Sequence, residues 1–369
     1  MMTEAHSERS VYMAMDLGNK EWVLQFGDLR QERGVTIPAR DQERLWREIG
    51  KAKEKFGLSA KAPVHACYEA GRDGFWIQRM LEEGGVKCLV VDSSSLEVNR
   101  KARRVKTDRI DARKLLSMLI RYLGNGEKKM WAVLHVPSED QEMRRRLHRG
   151  VGRLKKERTG HLCRIKSLLI TQGIRVQGVR KVPLEALVDW KGRRLPKELR
   201  QELVLEYQRL ELVDAQIERL VKQRKEEMKA PENRTQEVAA KLEKLRGLGE
   251  DSGWQLAHEF FWRDFDNRRQ VGSAAGLTGC PYNSGASAHE QGISKAGNAR
   301  VRVLMVEMAW RWLQFQPHSA LSGWYRERFG GGPGRLRRIG IVALARKLLV
   351  ALWKYVKFDE VPQGAILKA

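Results

Sequence analysis

The first part of the chain alternates short apolar runs with polar turns. Residues 11–16 and 21–26 are two such runs, separated by a Gly-Asn turn at residues 17–20, and residues 34–37 form a third. Apolar runs of this length with turn residues between them are typical of neighbouring strands. The pattern predicts an antiparallel meander of three strands.

After the meander, helical and strand patterns alternate. A helical pattern covers residues 41–56, a strand pattern 64–69, a helical pattern 74–83 and a second strand pattern 87–91. Three strands followed by strands that alternate with helices are the order of a ribonuclease H-like α/β domain. We therefore expect an N-terminal domain of this fold class.

A further helix is predicted over residues 108–122, with Thr107 as its N-terminal cap. Its polar first turn is expected to face the strand ends. The predicted buried stripe of this helix consists of Ile110, Leu115, Met118 and Leu119.

Beyond the glycines at 124 and 126 the sequence becomes long, basic and helical. Cationic residues crowd positions 144–166, with an apolar seam between them, which indicates a helix that follows a phosphate backbone. Apolar residues also recur at threes and fours over positions 203–220, as in a coiled coil. This second seam would pair two protomers or close a helical hairpin within one chain, and the sequence favours neither.

The last third begins after a break at residues 230–233. The glycines of positions 245–249 lie between two helical stretches, as in a helix-hairpin-helix element whose amides approach phosphate. Residues 274–298 are rich in Gly, Ser, Asn and Ala and predict a long polar loop, which usually carries function. An amphipathic helix is predicted over 299–315.

The charge of the chain narrows the class of partner. Lys and Arg number 70 against 46 Asp and Glu, a formal net charge of +24, with a pI near 10.1. A clustered cationic excess of this size indicates a nucleic-acid partner. The four cysteines are far apart and have no zinc-site spacing, so they are expected to be buried thiols. No apolar run is long enough to cross a membrane, and we expect a cytoplasmic, nucleoid-associated protein without a membrane partner.

Four acidic residues carry the candidate chemistry. Asp16 and Glu69 lie at the ends of predicted strands, and Asp108 and Asp111 lie three apart on the predicted helix. Carboxylate oxygens are the ligands that Mg²⁺ or Mn²⁺ takes, and two such ions can assist phosphoryl transfer. The sequence predicts a metal site at these four residues. An alternative layout would use Asp28, Asp73 or Asp92 as a ligand.

Seven ordered motifs resemble the DEDD transposases of bacterial insertion sequences, a family that includes Piv-type DNA invertases and recombinases guided by a bridge RNA. The resemblance covers nearly the whole chain. It rests on residues 15–16, 67–76, 105–112, 275–277, 282–285, 292–298 and 341–347. The chain departs from the family pattern in having no threonine between Ala70 and Gly71, Asn283 in place of a first serine, and Arg246 in place of a hairpin proline.

The resemblance implies a RuvC-like domain over 1–125, a basic helical and coiled-coil region over 126–235 and a mainly helical transposase domain over 236–369. It also implies that Asp16, Glu69, Asp108 and Asp111 bind the metal. By residue type alone Ser284 is most often a turn residue; by the resemblance it is the catalytic serine, with Ser287 and Ser294 nearby.

By the same resemblance, the protein is expected to cleave and rejoin DNA through a phosphoserine intermediate, with a noncoding bridge RNA as a partner and a dimer or tetramer as the working form. A metal-dependent hydrolytic endonuclease and a non-enzymatic nucleic-acid-binding protein are the two rival interpretations. The residues predicted to contact nucleic acid are Arg144, Arg145, Arg149, Arg153, Lys156, Lys295 and Arg300.

Overall fold

The computed structural model describes residues 9–96, 108–127, 130–180, 182–284 and 287–368, with the backbone alone at 108–109, 283–284 and 287–290. The chain forms two compact units, an N-terminal unit of residues 1–137 and a C-terminal unit of residues 138–369. Thr107, the predicted helix cap, lies outside the described residues.

A five-stranded mixed sheet forms the centre of the N-terminal unit. The strands are β1 (Val11–Leu17), β2 (Glu21–Gly27), β3 (Glu32–Pro38), β4 (Val64–Glu69) and β5 (Lys87–Val91). Their order in the sheet is β3-β2-β1-β4-β5, in which β2 is antiparallel to both β1 and β3, and β4 is parallel to both β1 and β5. The predicted meander and the two later strands are confirmed.

Helices cover both faces of this sheet because its side chains alternate between two apolar layers. Met13, Met15 and Tyr68 belong to the layer formed with α1 (Gln42–Lys55) and α2 (Trp76–Glu83). Ala14, Cys67 and Val91 belong to the other layer, formed with Leu115, Leu116, Met118 and Leu119 of α3 (Asp108–Gly124).

The prediction of the buried stripe of α3 is wrong for one residue, Ile110. The side chain of Ile110 is 48% exposed, whereas Leu115, Met118 and Leu119 are buried together with Leu116. Ile110 lies five residues before Leu115, which places it well off the buried stripe at about 100° of rotation per residue. The helix therefore turns Ile110 toward solvent.

Two long antiparallel helices, α4 (Glu139–Thr171) and α5 (Lys197–Lys229), begin the C-terminal unit. Ile165 and Leu169 of α4 share a buried cluster with Leu203 and Leu210 of α5. The seam predicted on α5 is therefore covered by α4 within one chain, as an intramolecular hairpin. The α4 helix starts at a capping box formed by Ser138 and Gln141.

A buried carboxylate adds a polar tie to the same hairpin. Glu206 of α5 accepts hydrogen bonds from His161 Nδ1 at 2.7 Å, Arg164 Nε at 3.0 Å and Arg209 Nη1 at 2.7 Å. Burial favours the protonated acid, but these three donors outweigh it and lower the pKa of Glu206 to about 2. The carboxylate therefore stays ionised and joins α4 to α5.

The rest of the C-terminal unit is a helical layer with one small hairpin. Trp254, Trp312 and Leu348 are among the residues of its single large apolar cluster within the described chain. The elements are α6 (Arg234–Glu243), α7 (Glu250–Glu259), α8 (Arg268–Ala274), β6 (Gly279–Ser284), β7 (Ser287–Ile293), α9 (Ala299–Phe315), α10 (Ala320–Tyr325) and α11 (Gly334–Phe358).

The predicted long loop over 274–298 is wrong, because β6 and β7 pair within it as an antiparallel hairpin. The predicted helix over 299–315 and the break at 230–233 are confirmed.

At the turn between α6 and α7, Gly247 has φ +93° and a Cβ there would lie 3.0 Å from Phe315 Cβ. A residue with a side chain would therefore be strained at this position.

Ion pairs join the α4–α5 hairpin to the helical layer. Asp251, in the first turn of α7, pairs with Lys155 of α4 at 2.8 Å and with Arg224 of α5 at 2.6 Å. These contacts explain why the hairpin and the helical layer form one compact unit. The division of the chain into three parts at 125 and 235 stays a prediction.

Cys67 and Cys88 are buried thiols as predicted, whereas Cys163 is exposed and Cys280 is half-buried. Cys163 was therefore wrongly predicted to be buried, since it lies on the solvent side of α4. Across the described parts of the chain, no helix is both long and apolar enough to cross a membrane.

Candidate functional site

Two of the predicted metal ligands lie at one edge of the sheet. The parallel strands β1 and β4 pair up to Met15 and Tyr68, so Asp16 and Glu69 are the next residues at the same strand ends. Asp16 follows Ala14 by two positions and Glu69 follows Cys67 by two. Since alternate residues share a face, both carboxylates lie on the face that α3 covers.

The N-terminal end of α3 points toward this edge. A Cβ on Gly27, which pairs with Tyr12 at the start of β1, would lie 3.2 Å from Leu116 and 3.5 Å from Ile120. The later turns of α3 therefore lie over the start of β1, and the earlier turns lie toward its end. The Cys67 thiol lies 3.9 Å from the carbonyl oxygen of Leu115, one turn after Asp111.

Three of the four predicted ligands are thus brought to one edge and one face. Asp16 and Asp111 are half-buried and Glu69 is exposed, while the side chain of Asp108 lies outside the described residues. An all-carboxylate set has the oxygen donors that Mg²⁺ or Mn²⁺ requires. Among the described side chains, however, no three acidic, His or Cys groups are close enough to hold one ion. The metal site stays a prediction.

The alternative ligands have structural partners. Asp28 is buried at the opposite edge of the sheet, where it pairs with Arg9 at 2.7 Å and accepts from the Gln31 amide at 2.8 Å. Burial opposes ionisation of Asp28, but these hydrogen bonds lower its pKa. Asp92 accepts from the amide and hydroxyl of Ser94 at 2.9 and 2.8 Å.

The third alternative, Asp73, pairs with the neighbouring Arg72 at 3.2 Å. All three alternatives therefore have hydrogen-bond or ion-pair partners, and a metal site at either set of residues stays a prediction.

Ser284 is the last residue of β6, and its backbone pairs with Ser287 at the start of β7. The connection between them, Gly285 and Ala286, lies outside the described residues, as do the side chains of both serines. The backbone pairing places Ser284 at the tip of a tight hairpin. The serine that the sequence predicts as the nucleophile is therefore the last paired residue of its strand.

A clasp of backbone contacts holds the base of this hairpin. The amide of Lys295 donates to Gly276 at 3.2 Å, and the amide of Asn298 donates to Ala274 at 2.8 Å. Gly276 has φ +65°, and a Cβ there would lie 2.1 Å from the carbonyl oxygen of Ala296. Arg302 crosses the clasp and donates to the Lys295 carbonyl at 2.9 Å. The hairpin thus begins and ends at a closely packed base.

Asn298 joins this base to the rest of the unit. Its side-chain oxygen accepts from the amides of Arg300 at 3.0 Å and Val301 at 3.2 Å, which caps α9. Its amide nitrogen donates to the Glu259 carbonyl at 3.2 Å. Lys295 and Arg300 are exposed on either side of this cap, where the sequence predicted contact with phosphate.

Glu259 is the centre of a buried ionic cluster. Its carboxylate accepts from Arg149 at 2.7 and 2.9 Å and contacts His148 Nε2 at 2.9 Å. Burial would raise the pKa of Glu259, but hydrogen bonds from Arg149 and His148 lower it well below its ordinary range. The cluster binds α4 to the end of α7, beside the cap of α9.

The residues of α4 that were predicted to contact nucleic acid fall into two groups, those with partners in the protein and those exposed to solvent. Arg145 is buried: it donates to the His258 carbonyl at 3.1 Å, and its guanidinium lies 4.4 Å from the centroid of the Trp262 ring. Arg149 is engaged with Glu259, and Arg144 pairs with Asp140 at 2.7 Å. Arg153 and Lys156 are exposed. Contact with phosphate stays a prediction for all five residues and fits the exposed pair best.

Sequence reasoning missed Glu259 and the role of Asn298. Glu259 directly precedes the apolar pair Phe260 and Phe261, so its position in an apolar stretch was visible in the sequence, but its partners were not. An asparagine directly before an amphipathic helix signals a cap. Both signals are local and were available in the sequence.

Comparison with known proteins shows which family of proteins the chain belongs to. A family model described as "Transposase IS116/IS110/IS902 family" matches residues 239–322, which include the β6–β7 hairpin, its clasp and Ser284. The chain is 38% identical over 376 aligned positions to "Putative transposase y4rJ" of Sinorhizobium fredii, a match that covers 97% of this chain and 95% of that protein. It is also 29% identical over 265 positions to "Putative transposase y4qE" of the same organism, covering 71% of this chain and 62% of that protein. The chain belongs to the IS116/IS110/IS902 family of transposases.

Proposed function

We propose that the protein is a site-specific DNA recombinase that excises and inserts its own mobile element, with Ser284 as the nucleophile. The observation that carries the proposal is the hairpin. The β6–β7 pairing puts Ser284 at the tip of a hairpin with a clasped base, inside the segment matched by the transposase family. A serine at the tip of a hairpin would be able to approach a scissile phosphate on the backbone of a duplex, as the nucleophile must.

The proposed step is a transesterification. Ser284 Oγ forms a bond to the scissile phosphorus as the bond from phosphorus to the leaving deoxyribose oxygen breaks. The hydroxyl proton passes to solvent, and the leaving oxygen takes up a proton to become a free DNA hydroxyl. Attack by that or another DNA hydroxyl on the phosphoserine reverses the step, so the DNA is rejoined without an external energy source.

The acidic edge of the sheet would assist this step. Asp16, Glu69, Asp108 and Asp111 would hold Mg²⁺ or Mn²⁺, which stabilises negative charge on a phosphate in the transition state. The strand order and the two acidic strand ends support a RuvC-like assignment for this domain. In this proposal the carboxylates bind the metal ion, while Lys295 and Arg300 bind the DNA backbone near the hairpin base.

The exposed cations of α4 would bind nucleic acid. Arg153 and Lys156 lie three apart on its solvent side, and a chain of net charge +24 attracts a polyanion over a long distance. We further propose that this partner includes a structured noncoding bridge RNA. Since recombination joins two duplexes, the working form would be a dimer or tetramer. Each active site would take its serine from one protomer and its carboxylates from another.

A second candidate is a hydrolytic endonuclease. The convergence of Asp16, Glu69 and α3 at one edge favours it, because a metal-dependent hydrolase needs no serine. Its product would be free phosphate ends.

The test is incubation of labelled DNA carrying the joined element ends with purified protein, Mg²⁺ and RNA transcribed from the element's flank. Ser284→Ala is compared with Ser287→Ala, the matched serine across the hairpin, and Asp16→Asn is compared with Asp73→Asn. We expect a protease-sensitive protein-DNA adduct that is lost in Ser284→Ala and Asp16→Asn and kept in both controls. Free phosphate ends that persist in Ser284→Ala would establish the hydrolase instead.

A further inference from the structure

The connection between α4 and α5 presents a tryptophan to solvent. Trp190 lies in this connection and its side chain is 72% exposed, the largest exposure among the large apolar residues of the described chain. A tryptophan exposed to this degree loses the free energy that burial of its ring would provide. Tryptophan is enriched at binding interfaces, because it combines a large apolar ring with a polar N–H group.

The backbone holds Trp190 in a defined place. The Trp190 amide donates to the Gln172 carbonyl at the end of α4 at 3.0 Å, and the Gly192 amide donates to the Asp189 carbonyl at 2.9 Å, which closes a turn. A Cβ on Gly173 would lie 2.9 Å from Trp190 Cβ, so the end of α4 packs directly under this residue. The ring is therefore exposed on an ordered turn.

Asp189 organises the same turn. Its buried carboxylate accepts from the amides of Lys191 at 2.8 Å and Arg193 at 2.9 Å, and it pairs with the Arg193 guanidinium at 2.8 Å. Directly after the turn, Leu195 is buried in the cluster between the two helices. Hydrogen bonds, an ion pair and the burial of Leu195 thus hold the turn that carries Trp190.

The surroundings of the ring are cationic. Lys191 Nζ lies 4.6 Å from the centroid of the Trp190 ring. Arg175, Arg193 and Arg194 are exposed in the same connection. Arg193 pairs with Asp189, which leaves Lys191 beside the ring and Arg175 and Arg194 elsewhere in the connection as the cations that a phosphate would meet. A flat ring with cations in the same connection fits a nucleotide, whose base stacks on the aromatic face while its phosphates meet the cations.

We propose that Trp190 is a stacking site for an unpaired nucleobase of single-stranded or looped nucleic acid. A base inside a duplex is stacked on its neighbours and cannot present its face to the ring, so the site selects unpaired nucleotides. The inference rests on the proposed function only in taking nucleic acid as the partner. It needs neither Ser284 nor the acidic residues.

The test is binding of fluorescently labelled oligonucleotides of about 12 residues to the full-length protein. Single strands and blunt duplexes are measured as RNA and as DNA. Trp190→Ala is compared with Trp190→Phe, which keeps an aromatic face, and with Trp310→Ala, the control for loss of an exposed tryptophan, since Trp310 is 49% exposed on α9.

Loss of one base stack is expected to weaken single-strand binding of Trp190→Ala about tenfold. Trp190→Phe should recover most of the affinity, and Trp310→Ala should bind like the wild type. Duplex binding should change less than about twofold, because duplex affinity comes mainly from phosphate contacts. A loss confined to RNA or to DNA identifies the source of the base, and both results support the site.

Unchanged single-strand affinity in Trp190→Ala would overturn the proposal, as would an equal loss on duplexes. Circular dichroism of each variant checks that the α4–α5 hairpin is folded. This assay measures binding alone, whereas the recombination assay measures formation of a protein-DNA adduct. A failure of recombination is thereby distinguished from a failure of stacking.

Discussion

Replacement of Glu259 by glutamine tests whether the buried ionic cluster holds the C-terminal unit together. Glu259→Gln keeps the shape of the side chain and removes its charge. It leaves His148 buried and Arg149 half-buried without the carboxylate that accepts their hydrogen bonds. The variant is expected to fold with reduced stability.

The magnitude follows from the exposure of the three side chains. Glu259 is 3% exposed, His148 4% and Arg149 35%. Removal of one partner from a fully buried pair costs about 3–5 kcal/mol. Water can reach part of Arg149, so we expect the free energy of unfolding to fall by about 2–3 kcal/mol. For a unit of this size the melting temperature would fall by roughly 5–10 °C.

The assay is urea denaturation followed by circular dichroism at pH 7. The matched control is Asp140→Asn, which removes another carboxylate paired with an α4 arginine. Asp140 is 65% exposed, so its loss should change the free energy of unfolding by less than about 0.5 kcal/mol. A Glu259→Gln variant as stable as Asp140→Asn would refute the reasoning, because the cluster would then contribute no more than a surface ion pair.

Two further predictions concern the same unit. Burial lowers the pKa of His258 from 6.5 to about 4, so the unfolded chain binds the proton first as the pH falls. The wild type should lose up to about 3 kcal/mol between pH 6.5 and pH 4, and His258→Gln should show a smaller loss there in urea melts; parallel slopes for the two proteins would contradict this. Gly276→Ala should lower the free energy of unfolding by about 2 kcal/mol or more, because φ there is +65° and the new Cβ meets a backbone oxygen. Gly152→Ala on α4, where no atom lies within 4 Å of the new Cβ, should raise it by about 0.5–1 kcal/mol; equal effects of the two substitutions would show that the clasp is not tight.

The order of the N-terminal elements was readable from the sequence because it follows from local patterns. Apolar runs with turn residues between them predicted every strand of the five-stranded sheet, and the structure confirms the meander. The positions of Asp16 and Glu69 at strand ends were equally local. These two strand ends meet at one edge because β1 pairs in parallel with β4. The predicted fold class implied this pairing, and the structure confirms it.

The β6–β7 hairpin could not be predicted in the same way. Residues 279–293 are mostly small and polar and have no apolar alternation, so nothing local distinguished paired strands from a loop. Pairing there depends on the clasp, in which Gly276 contacts residues about twenty positions away along the chain. The placement of Ser284 at a hairpin tip is therefore a tertiary result.

By itself, the sequence determined the strand and helix order, the excess of cations and the identity of the candidate acidic and serine residues, because these depend on residue type and short-range spacing. The tertiary structure decided which charges face water and which seam is covered. Arg149 and Arg153 are four residues apart on one helix, yet Arg149 meets Glu259, which lies 110 residues later in the chain, and Arg153 meets solvent. Burial of a charge costs several kcal/mol unless a partner is present, and only the packing of distant segments brings that partner into contact.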